Sequence, residues 1–311
     1  RQSVDREVAM PRASVGVCDV TTLGKIDVQG DDAVTFLNRI YCNGLTKLDV
    51  GKTRYSLMLR EDGIVMDDGT IACLAEDHFI VTTTTANAAS VYRHMEFASQ
   101  VLWPDLDVQL IPTTECWAQY AVSGPNARNL LRKIVDTEFD ISNEAFPFMA
   151  CGAITVCGGV RARLFRISFS GELAYEIAVP TRYGDSMIRV LADGAEELGG
   201  CAYGTEALGV MRIEKGHAAG NELNGTTTAL NLGMDRMVSL KKDAIGTVLS
   251  RREGLNSNNG LRLVGFKPCR LADTVPSGAH LMTKGSKINA ANDQGYVTSA
   301  CYSPTLGHNI A

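Results

Sequence analysis

The chain has 311 residues, of which 45% are hydrophobic and 21% charged, and its formal net charge is −5. This length and apolar content predict a globular protein of two or three packed units with a sizeable core. The mild charge and the lack of a Lys/Arg-rich block argue against nucleic acid or an anionic membrane as the main partner. Signal peptides and runs of about 18 apolar residues are not found, so we expect a cytoplasmic protein with no membrane contact.

The cysteines and short motifs exclude several classes of site. Nine cysteines are scattered along the chain without a CxxC pair, so we expect reduced and mostly buried thiols. No HxH or HExxH spacing occurs, and no metal site is expected. The chain also lacks GxGxxG, Walker and GxSxG patterns, which disfavours dinucleotide, phosphate-loop and serine-hydrolase sites. Its first residue is Arg1 rather than Met, which suggests processing or a piece of a longer protein.

The first half of the chain predicts a compact α+β unit. Hydrophobic periodicity and β-branched residues define its elements. They are a strand-like stretch at 17–30, a helix at 31–41 with an aspartate N-cap, strands at 53–59, 69–74 and 78–85, and a helix at 86–101.

The second half repeats the alternation of strand pairs and helices. An apolar strand runs into SGP at 123–125 and a helix begins near Asn126, where Pro125 suits the first turn. Two strands at 160–180 join at Ser170-Gly171, and helices follow at 181–198 and 204–216. After Lys242 the chain becomes polar and glycine-rich, so 250–260 is a predicted linker to a last set of short strands.

Two adjacent aspartates, Asp67 and Asp68, follow an apolar run and precede Gly69. Asp-Asp-Gly is ordinary turn chemistry, because Asp bonds its own backbone and Gly accepts a positive φ. The other interpretation is that one carboxylate is screened from water and acts on a proton or cation. Since side chains alternate faces along a strand, burial of one of the two is compatible with the pattern. Both interpretations remain open at this point.

Two further acidic positions have a structural and a functional interpretation. Glu176 lies inside an apolar strand, so it either faces solvent or is held by a specific donor, such as the adjacent N–H groups of an aminopyrimidine. In MRIEKG, Arg212 and Glu214 lie on a helix and suggest a structural ion pair, with Gly216 as a C-cap candidate. His217 follows directly, without the spacing of a metal ligand.

Several stretches taken together resemble the aminomethyltransferase superfamily, the folate-binding family of the glycine cleavage T-protein. They are YSLMLREDGIVMDDG, RISFSGELAYEIAVP, GTEALGVMRIEKG, KKDAIG and GYVTSACYSPTLGHNIA. The resemblance covers nearly the whole chain in the family's order. Within the family, VGVCDVTTLGKIDVQG, AFPFMA and GTEALGVMRIEKGHAAGNELNG look most like the C-terminal folate-binding part of the α subunit of heterotetrameric sarcosine oxidase.

This resemblance implies an α+β cloverleaf of three domains around a tetrahydrofolate channel, with a small C-terminal β-barrel. Residues 1–240 would form the folate-binding region, as two interleaved α+β domains of which the smaller spans roughly 46–111. Residues 255–311 would form the C-terminal β domain, which we expect to be truncated. Flavin and NAD would belong to the parent complex and not to this chain, whose nucleotide-binding N-terminal region is missing. Other sarcosine oxidase subunits are the partners that the resemblance implies.

The resemblance also implies roles for single residues. Asp68 matches the family's catalytic aspartate, and Tyr55 matches a tyrosine that lines the same pocket. Glu176 matches the glutamate that holds the amino and ring N–H groups of the pterin. Arg166 matches an arginine that precedes the Ser-Gly-Glu turn. Phe169 stands where T-proteins have a tyrosine, and it can stack on a ring but cannot donate a hydrogen bond.

The implied reaction is capture of a methylene group from oxidised sarcosine to give 5,10-methylenetetrahydrofolate. Leu208 stands where T-proteins carry an arginine, which favours the sarcosine oxidase branch over glycine cleavage. Three alternatives remain open. They are a stand-alone T-protein-like aminomethyltransferase with a lipoyl carrier, a folate-dependent demethylase for another methyl donor, and a non-catalytic folate-binding module.

Overall fold

The computed structural model describes residues 2–257 and 260–311. Arg1 and two residues of the predicted linker, 258 and 259, lie outside the described residues. In chain order the helices and strands are α1 (Gln2–Ala13), β1 (Gly16–Asp19), β2 (Gly24–Gln29), α2 (Ala33–Ile40), β3 (Thr53–Leu59), β4 (Val65–Ala75), β5 (His78–Thr83), α3 (Ala88–Phe97), β6 (Gln109–Pro112), β7 (Trp117–Ser123), α4 (Ala127–Leu131), β8 (Cys151–Val156), β9 (Val160–Phe165), β10 (Ala174–Pro180), α5 (Gly184–Glu197), β11 (Cys201–Ala202), α6 (Thr205–Lys215), β12 (His280–Met282), β13 (Asp293–Tyr296), β14 (Cys301–Ser303) and β15 (His308–Ile310). Within the part of the chain that is described, no helix combines the length and the apolar character needed to cross a membrane.

Two larger sheets organise the molecule. The five-stranded sheet has the order β3-β4-β5-β2-β6, and its neighbours are antiparallel. The six-stranded sheet has the order β11-β1-β7-β10-β9-β8, in which β1 and β11 are parallel and the other pairs antiparallel. This confirms the mixed α+β class that the sequence predicts.

Helices cover one face of each sheet, and α1 and α6 also cover part of the other face of the six-stranded sheet. Over the five-stranded sheet, α2 buries Ala33, Phe36, Leu37 and Ile40, a helical spacing that places the four side chains on one stripe. The six-stranded sheet packs its Val122, Leu164 and Ile177 side against α4 and α5. A smaller cluster joins α1 and α6 to β1. Its members are Val8, Cys18, Ala121, Tyr203, Ala207, Val210 and Met211.

The remaining faces of the two sheets are turned toward each other. Ala72 and Ile80 of the five-stranded sheet pack on Cys151 and Phe165 of the six-stranded sheet. Residues opposite one another, or two apart along a strand, share a face, so strand register identifies the other side chains directed into this gap. They are Lys25, Asp27, Tyr55, Asp68, Thr70 and Thr82 from one sheet and Gln119, Arg163 and Glu176 from the other. We call this polar region the inter-sheet slot.

Several predicted elements are confirmed, and two differ in an informative way. The helices α2, α3, α5 and α6 lie within the predicted ranges. The stretch 17–30, predicted as one strand, is divided into β1 and β2, which belong to different sheets. The strand predicted at 69–74 begins at Val65, because the turn lies earlier, at 61–63, where Gly63 has a φ of +88°.

The C-terminal part differs from the predicted barrel. Among the described residues from 260 onward, β12 pairs with β13 and β14 pairs with β15, as two separate two-stranded sheets. The stretch 261–268, predicted to contribute a strand, has no regular secondary structure. The expected closed β-barrel is therefore not confirmed, whereas the β character of the segment is.

Candidate functional site

The adjacent aspartates lie inside strand β4 rather than in a turn. Asp67 is opposite Met58 and Asp68 is opposite Leu57 on β3, so the two carboxylates point to opposite faces of the sheet. Gly69 has a different function from the expected turn. A Cβ atom there would lie 1.9 Å from the Thr82 carbonyl oxygen, so only glycine permits the close approach of β5. The turn interpretation of Asp-Asp-Gly is therefore wrong.

Asp67 is a structural carboxylate. Its Oδ1 accepts hydrogen bonds from Thr84 Oγ1 at 2.6 Å and Asn87 Nδ2 at 3.0 Å, and its Oδ2 accepts one from the Thr84 backbone N at 3.1 Å. These donors lie between β5 and the start of α3. Asp67 thus ties β4 to the helical layer on the side away from the slot.

Asp68 is buried and faces the slot. Its Oδ2 accepts a hydrogen bond of 2.7 Å from the Tyr55 hydroxyl. Burial raises the pKa of Asp68 to about 6, an effect that the Tyr55 hydrogen bond opposes and the neighbouring charge of Asp67 reinforces. Burial and the Asp68 charge raise the pKa of Tyr55, so its hydroxyl stays protonated and available as a donor. Asp68 therefore changes charge close to neutral pH, as a general base or acid requires.

His217 and Phe169 complete the surroundings of Asp68. The Nε2 of His217 lies 3.9 Å from Asp68 Oδ2. Its ring is 5.4 Å from the ring of Tyr55 and 4.9 Å, edge to face, from that of Phe169. Burial first, and then the charges of Lys215 and Arg212, lower the pKa of His217 to about 4, so the imidazole is neutral near pH 7. Sequence reasoning assigned no role to His217, because its contacts come from strands far away along the chain.

The C-terminus of α6 positions His217. Gly216 adopts the left-handed conformation with a φ of +76°, as the predicted C-cap requires. The N of Gly216 donates to Ile213 O and the N of His217 to Arg212 O, the hydrogen-bond pair of a Schellman motif. The predicted ion pair between Arg212 and Glu214 is wrong, because neighbours two apart on a helix point in different directions.

The charges on α6 are paired outside the helix. Arg212 donates to Glu222 at 2.8 Å and to Ser299 at 2.7 Å. Glu214 instead accepts from Arg12 at 2.7 Å and from Ser303 at 2.6 Å. Both ion pairs therefore attach α6 to other segments.

Glu176 lies on β10 and faces the slot from the other sheet. Gln119 Nε2 donates to its Oε2, and no other hydrogen-bond donor to this carboxylate is found among the described side chains and backbone groups. Burial raises the pKa of Glu176, while Gln119 and the ammonium of Lys25 act in the opposite direction. Lys25 is itself buried and donates to the carbonyls of Thr21 and Leu23, so it contributes positive charge to the slot. Gln119 was not identified as this partner from the sequence. The signal for it is a polar side chain inside the apolar strand WAQYAVS.

The fifth candidate, Arg166, is directed elsewhere. It donates to the Phe146 carbonyl at 2.8 Å and to Asn143 Oδ1 at 2.8 Å, and its guanidinium lies 6.0 Å from the Tyr175 ring. Its contacts thus hold the segment before β8. The structure brings Asp68, Tyr55 and Phe169 together around His217 and places Glu176 across the slot, and it does not bring Arg166 into this group.

The side chains that face the slot provide hydrogen-bonding and titrating groups on both sheets. One wall offers a carboxylate with a free acceptor oxygen, and the other offers a carboxylate that titrates near neutrality beside aromatic rings. Across residues 2–257 and 260–311, His, Cys, Asp and Glu side chains form no group of three placed to hold a metal ion. The chemistry that the described residues provide is therefore hydrogen bonding, stacking and proton transfer.

Comparisons with known proteins identify the family of the chain. The family model for the GCVT N-terminal domain matches residues 1–242. The chain is 51% identical to sarcosine oxidase subunit alpha of Rhizobium meliloti (strain 1021), over all of this chain and 32% of the relative. It is 28% identical to an aminomethyltransferase of Thermoanaerobacter sp. (strain X514), over 99% of this chain and 80% of the relative. It thus spans about a third of the sarcosine oxidase subunits that it matches.

A solved structure shares the fold. The glycine cleavage system aminomethyltransferase T from Bartonella henselae superimposes with a TM-score of 0.84 at 24% identity, over 99% of this chain and 80% of that one. Together, the family model over most of the chain and the identity to sarcosine oxidase subunits show that this protein belongs to the GCVT aminomethyltransferase family.

Proposed function

We propose that this chain binds tetrahydrofolate in the inter-sheet slot and transfers to it a one-carbon unit from an oxidised N-methyl amine, for which sarcosine is our candidate. The methylene carbon of the imine formed from sarcosine would bond to the folate nitrogens, its bond to the glycine nitrogen would break, and the products would be 5,10-methylenetetrahydrofolate and glycine. The observation that carries the proposal is the pair of slot-facing carboxylates on opposite sheets, Asp68 and Glu176. One has a pKa raised to about 6 and the other has an acceptor oxygen to spare.

Glu176 would hold the pterin. An aminopyrimidine presents two adjacent N–H groups, and a carboxylate accepts such a pair in parallel. Gln119 fixes one oxygen and leaves the other available, while Lys25 favours the ionised form. A buried carboxylate without enough donors is costly, so a ligand that supplies two would be bound with a favourable free energy.

Asp68 would act at the other end of the ligand. Tetrahydrofolate supplies the amine nitrogen that accepts the one-carbon unit. Asp68 would take the proton that this amine loses and stabilise the positive charge that develops nearby. Such a contact is worth more in a slot that excludes water than in bulk solvent. Tyr55 would hold the carboxylate in place through Oδ2, and the ring of Phe169 would pack against the ligand.

The choice of sarcosine rests on the 51% identity to a sarcosine oxidase α subunit and on Leu208. Leu208 packs beside the apolar cluster of α1, α6 and β1, where it provides no positive charge. The similarity to aminomethyltransferases supports a second candidate, an aminomethyl donor on a lipoyl carrier. In either reaction the acceptor and the slot are the same. A third possibility, that the slot binds folate without transfer, is weakened by the poised Asp68.

A calorimetric titration with tetrahydrofolate tests the binding step. The protein should bind saturably, and Glu176→Ala should lose at least tenfold in affinity. Glu197→Ala is the matched control, since this exposed glutamate on α5 pairs only with Lys133. Folded wild-type protein that does not bind, or equal loss in both variants, would contradict the proposed binding site.

The donor is tested with the protein in the complete form and assembly that cells make. We expect 5,10-methylenetetrahydrofolate to form from sarcosine and oxygen in the presence of tetrahydrofolate. The same preparation is offered an aminomethylated lipoyl carrier protein. Transfer from the carrier and not from sarcosine would select the second candidate.

A further inference from the structure

We propose that His217 is a positioning residue of the transfer site: once a ligand closes the site, its Nε2–H donates to the Asp68 carboxylate and, with the Tyr55 hydroxyl, keeps this carboxylate ionised and aimed. This inference rests on the proposed function, because it assigns a working state to Asp68. It goes beyond that function by assigning a role to His217, a residue that acts through Asp68 rather than on the reacting atoms.

The geometry around Oδ2 supports a second donor. Tyr55 donates to this oxygen at 2.7 Å, and His217 Nε2 lies 3.9 Å from the same atom. A movement of about 1 Å would bring Nε2 to hydrogen-bond distance, and catalytic hydrogen bonds are often long before a ligand closes the site. Two donors on Oδ2 leave Oδ1 free for a ligand.

The backbone of His217 is fixed from both sides. Its N donates to Arg212 O at 2.9 Å, and its O accepts from Arg212 Nη1 at 3.2 Å. Arg212 is in turn held by Glu222 and Ser299. The ring is confined between Tyr55 and Phe169. A side chain fixed at the backbone and the ring can orient its partner with little loss of entropy.

The charges facing His217 determine what it can do. From β4 it faces Asp68, from β3 the Tyr55 hydroxyl, and from its own helix the cations Arg212 and Lys215. Glu222 lies beyond Arg212 and is already paired with it. The cations and the burial disfavour an imidazolium, so the ring is a neutral donor rather than a counter-ion. A neutral donor stabilises the charged form of Asp68 without neutralising it.

Two variants separate this role from packing. His217→Phe keeps an aromatic ring against Tyr55 and Phe169 but removes the donor. His217→Gln keeps an N–H donor but loses the ring. We measure the pKa of Asp68 by carbon-13 NMR of its carboxyl in the protein saturated with tetrahydrofolate, identified by its loss in Asp68→Asn. We also measure the pH profile of methylene transfer in the complete protein.

In His217→Phe the pKa of Asp68 should rise by about one unit, since loss of a donor of this kind disfavours the charged form. The acid limb of the transfer profile should move up by the same amount. The rate at pH 6.5 should then fall about threefold, as a shift of the pKa from about 6 to about 7 requires, and the deficit should shrink as the pH rises to 8.5. His217→Gln should recover most of both shifts.

The outcomes distinguish failure of the His217 inference from failure of the proposed function. If the wild-type protein forms methylenetetrahydrofolate but His217→Phe has the wild-type Asp68 pKa and pH profile, the His217 inference fails and the function stands. If Gln and Phe lose activity equally at all pH values, the residue acts by packing, which also overturns it. If the wild-type protein neither binds nor transfers, the proposed function fails and the inference fails with it.

Discussion

Asp67 and Asp68 are chemically identical neighbours, but the protein satisfies the hydrogen-bonding capacity of their carboxylates to different extents. Asp67 receives three hydrogen bonds from the junction of β5 and α3. Asp68 receives one protein hydrogen bond in an almost equally buried place. The first carboxylate is satisfied by its surroundings, whereas the second retains acceptor capacity toward the slot. This difference is typical of a group kept for function at a cost in stability.

Replacing Asp68 by Asn should stabilise the ligand-free protein at neutral pH and abolish transfer. The folded-state pKa of about 6 lies above 3.8, the ordinary pKa of an aspartate side chain. The folded chain therefore binds the proton more tightly, and stability falls as the pH rises between these values, by about 3 kcal/mol in total. In Asp68→Asn this loss is removed, so the free energy of unfolding should rise by about 1–3 kcal/mol at pH 7.5 and change less at pH 4.

Urea denaturation of both proteins at the two pH values measures the effect. Transfer by Asp68→Asn should fall at least about a hundredfold, the usual scale for a general base, with tetrahydrofolate affinity largely retained. A variant that is less stable than wild type at pH 7.5 would contradict the burial argument. Equal losses of affinity in Asp68→Asn and Glu176→Ala would contradict the division of roles.

Replacing Asp67 by Asn should have the opposite effect on stability: burial raises the pKa of Asp67 as well, but the hydrogen bonds that Asn cannot accept outweigh the relief of removing a buried charge. One acceptor oxygen becomes an NH₂ group that faces the donors of Thr84 and Asn87. Buried donors left without an acceptor cost about 1–3 kcal/mol, so the free energy of unfolding should fall by that amount. Thermal and urea unfolding beside Asp68→Asn provide the comparison. The same sign of change in both variants would show that the two faces of β4 are not distinct environments.

At the scale of the elements, one buried ion pair fastens the two sheets across the slot. Arg163 on β9 donates to both oxygens of Asp27 on β2, at 3.0 and 2.8 Å, and stacks 4.0 Å from the Trp117 ring centre. Although burial acts against it, the charges and hydrogen bonds of Arg163 and His78 lower the pKa of Asp27. The contribution of the Asp27 carboxylate to stability is therefore present when the pH is above the ordinary aspartate pKa. It is lost as the pH falls through the lowered folded-state pKa.

Asp27→Asn should destabilise the protein by about 3–5 kcal/mol at pH 7, because it leaves the Arg163 charge buried without a counter-ion. The matched control is Glu197→Ala, which removes an exposed ion pair with Lys133 and should change the free energy of unfolding far less. Urea unfolding at pH 7 compares the two. Similar small losses in both would mean that the sheets are held by their apolar contacts alone.

The sequence predicts most elements but not the inter-sheet slot, and the reason is physical. Strand and helix periods report which face of an element is apolar, so α2, α5 and α6 are recognisable locally. On β4, however, the second face is also buried, against another sheet and polar side chains, and the alternation that marks a strand is lost at Asp67 and Asp68. Local chemistry then favours a turn. The family resemblance selected Asp68 and Glu176, whereas His217 required the three-dimensional contacts.

The same limit applies to the division of 17–30 and to the C-terminal segment. Whether successive strands pair with each other or with distant ones is decided by long-range contacts that short windows of sequence do not contain. The two halves of 17–30 join different sheets for this reason. The domain boundaries at 240 and 255 and the role of Arg166 in folate binding stay predictions.

At the scale of the whole molecule, the residues of the proposed site are shared between two separately packed layers. Asp68 and Tyr55 belong to the five-stranded sheet, while Glu176 belongs to the six-stranded sheet. Each sheet has its own helical cover and its own core. A ligand that contacts both carboxylates would therefore connect the layers as the Asp27–Arg163 pair does. Binding of this ligand should therefore raise the free energy of unfolding of both layers.

The two tryptophans report on the layers separately. Trp103 packs against Phe36 in the helical cover of the five-stranded sheet, and Trp117 begins β7 in the other sheet. At a tetrahydrofolate concentration of about 100 times Kd, binding to the folded state adds about 2.7 kcal/mol. In a chain of 311 residues the melting temperature should then rise by about 4 °C, because the unfolding entropy is about 2.1 cal/mol/K per residue.

We expect the same rise in Trp103→Phe, where Trp117 is the probe, and in Trp117→Phe, where Trp103 is the probe. The control is Glu176→Ala in each background, which should remove both rises because one anchor of the ligand is lost. A rise seen only by Trp117 would mean that the six-stranded sheet binds the ligand alone and that Asp68 is not in contact with it. Since transfer requires Asp68 at the reacting end, that result would contradict the proposed mechanism even if the affinity were high.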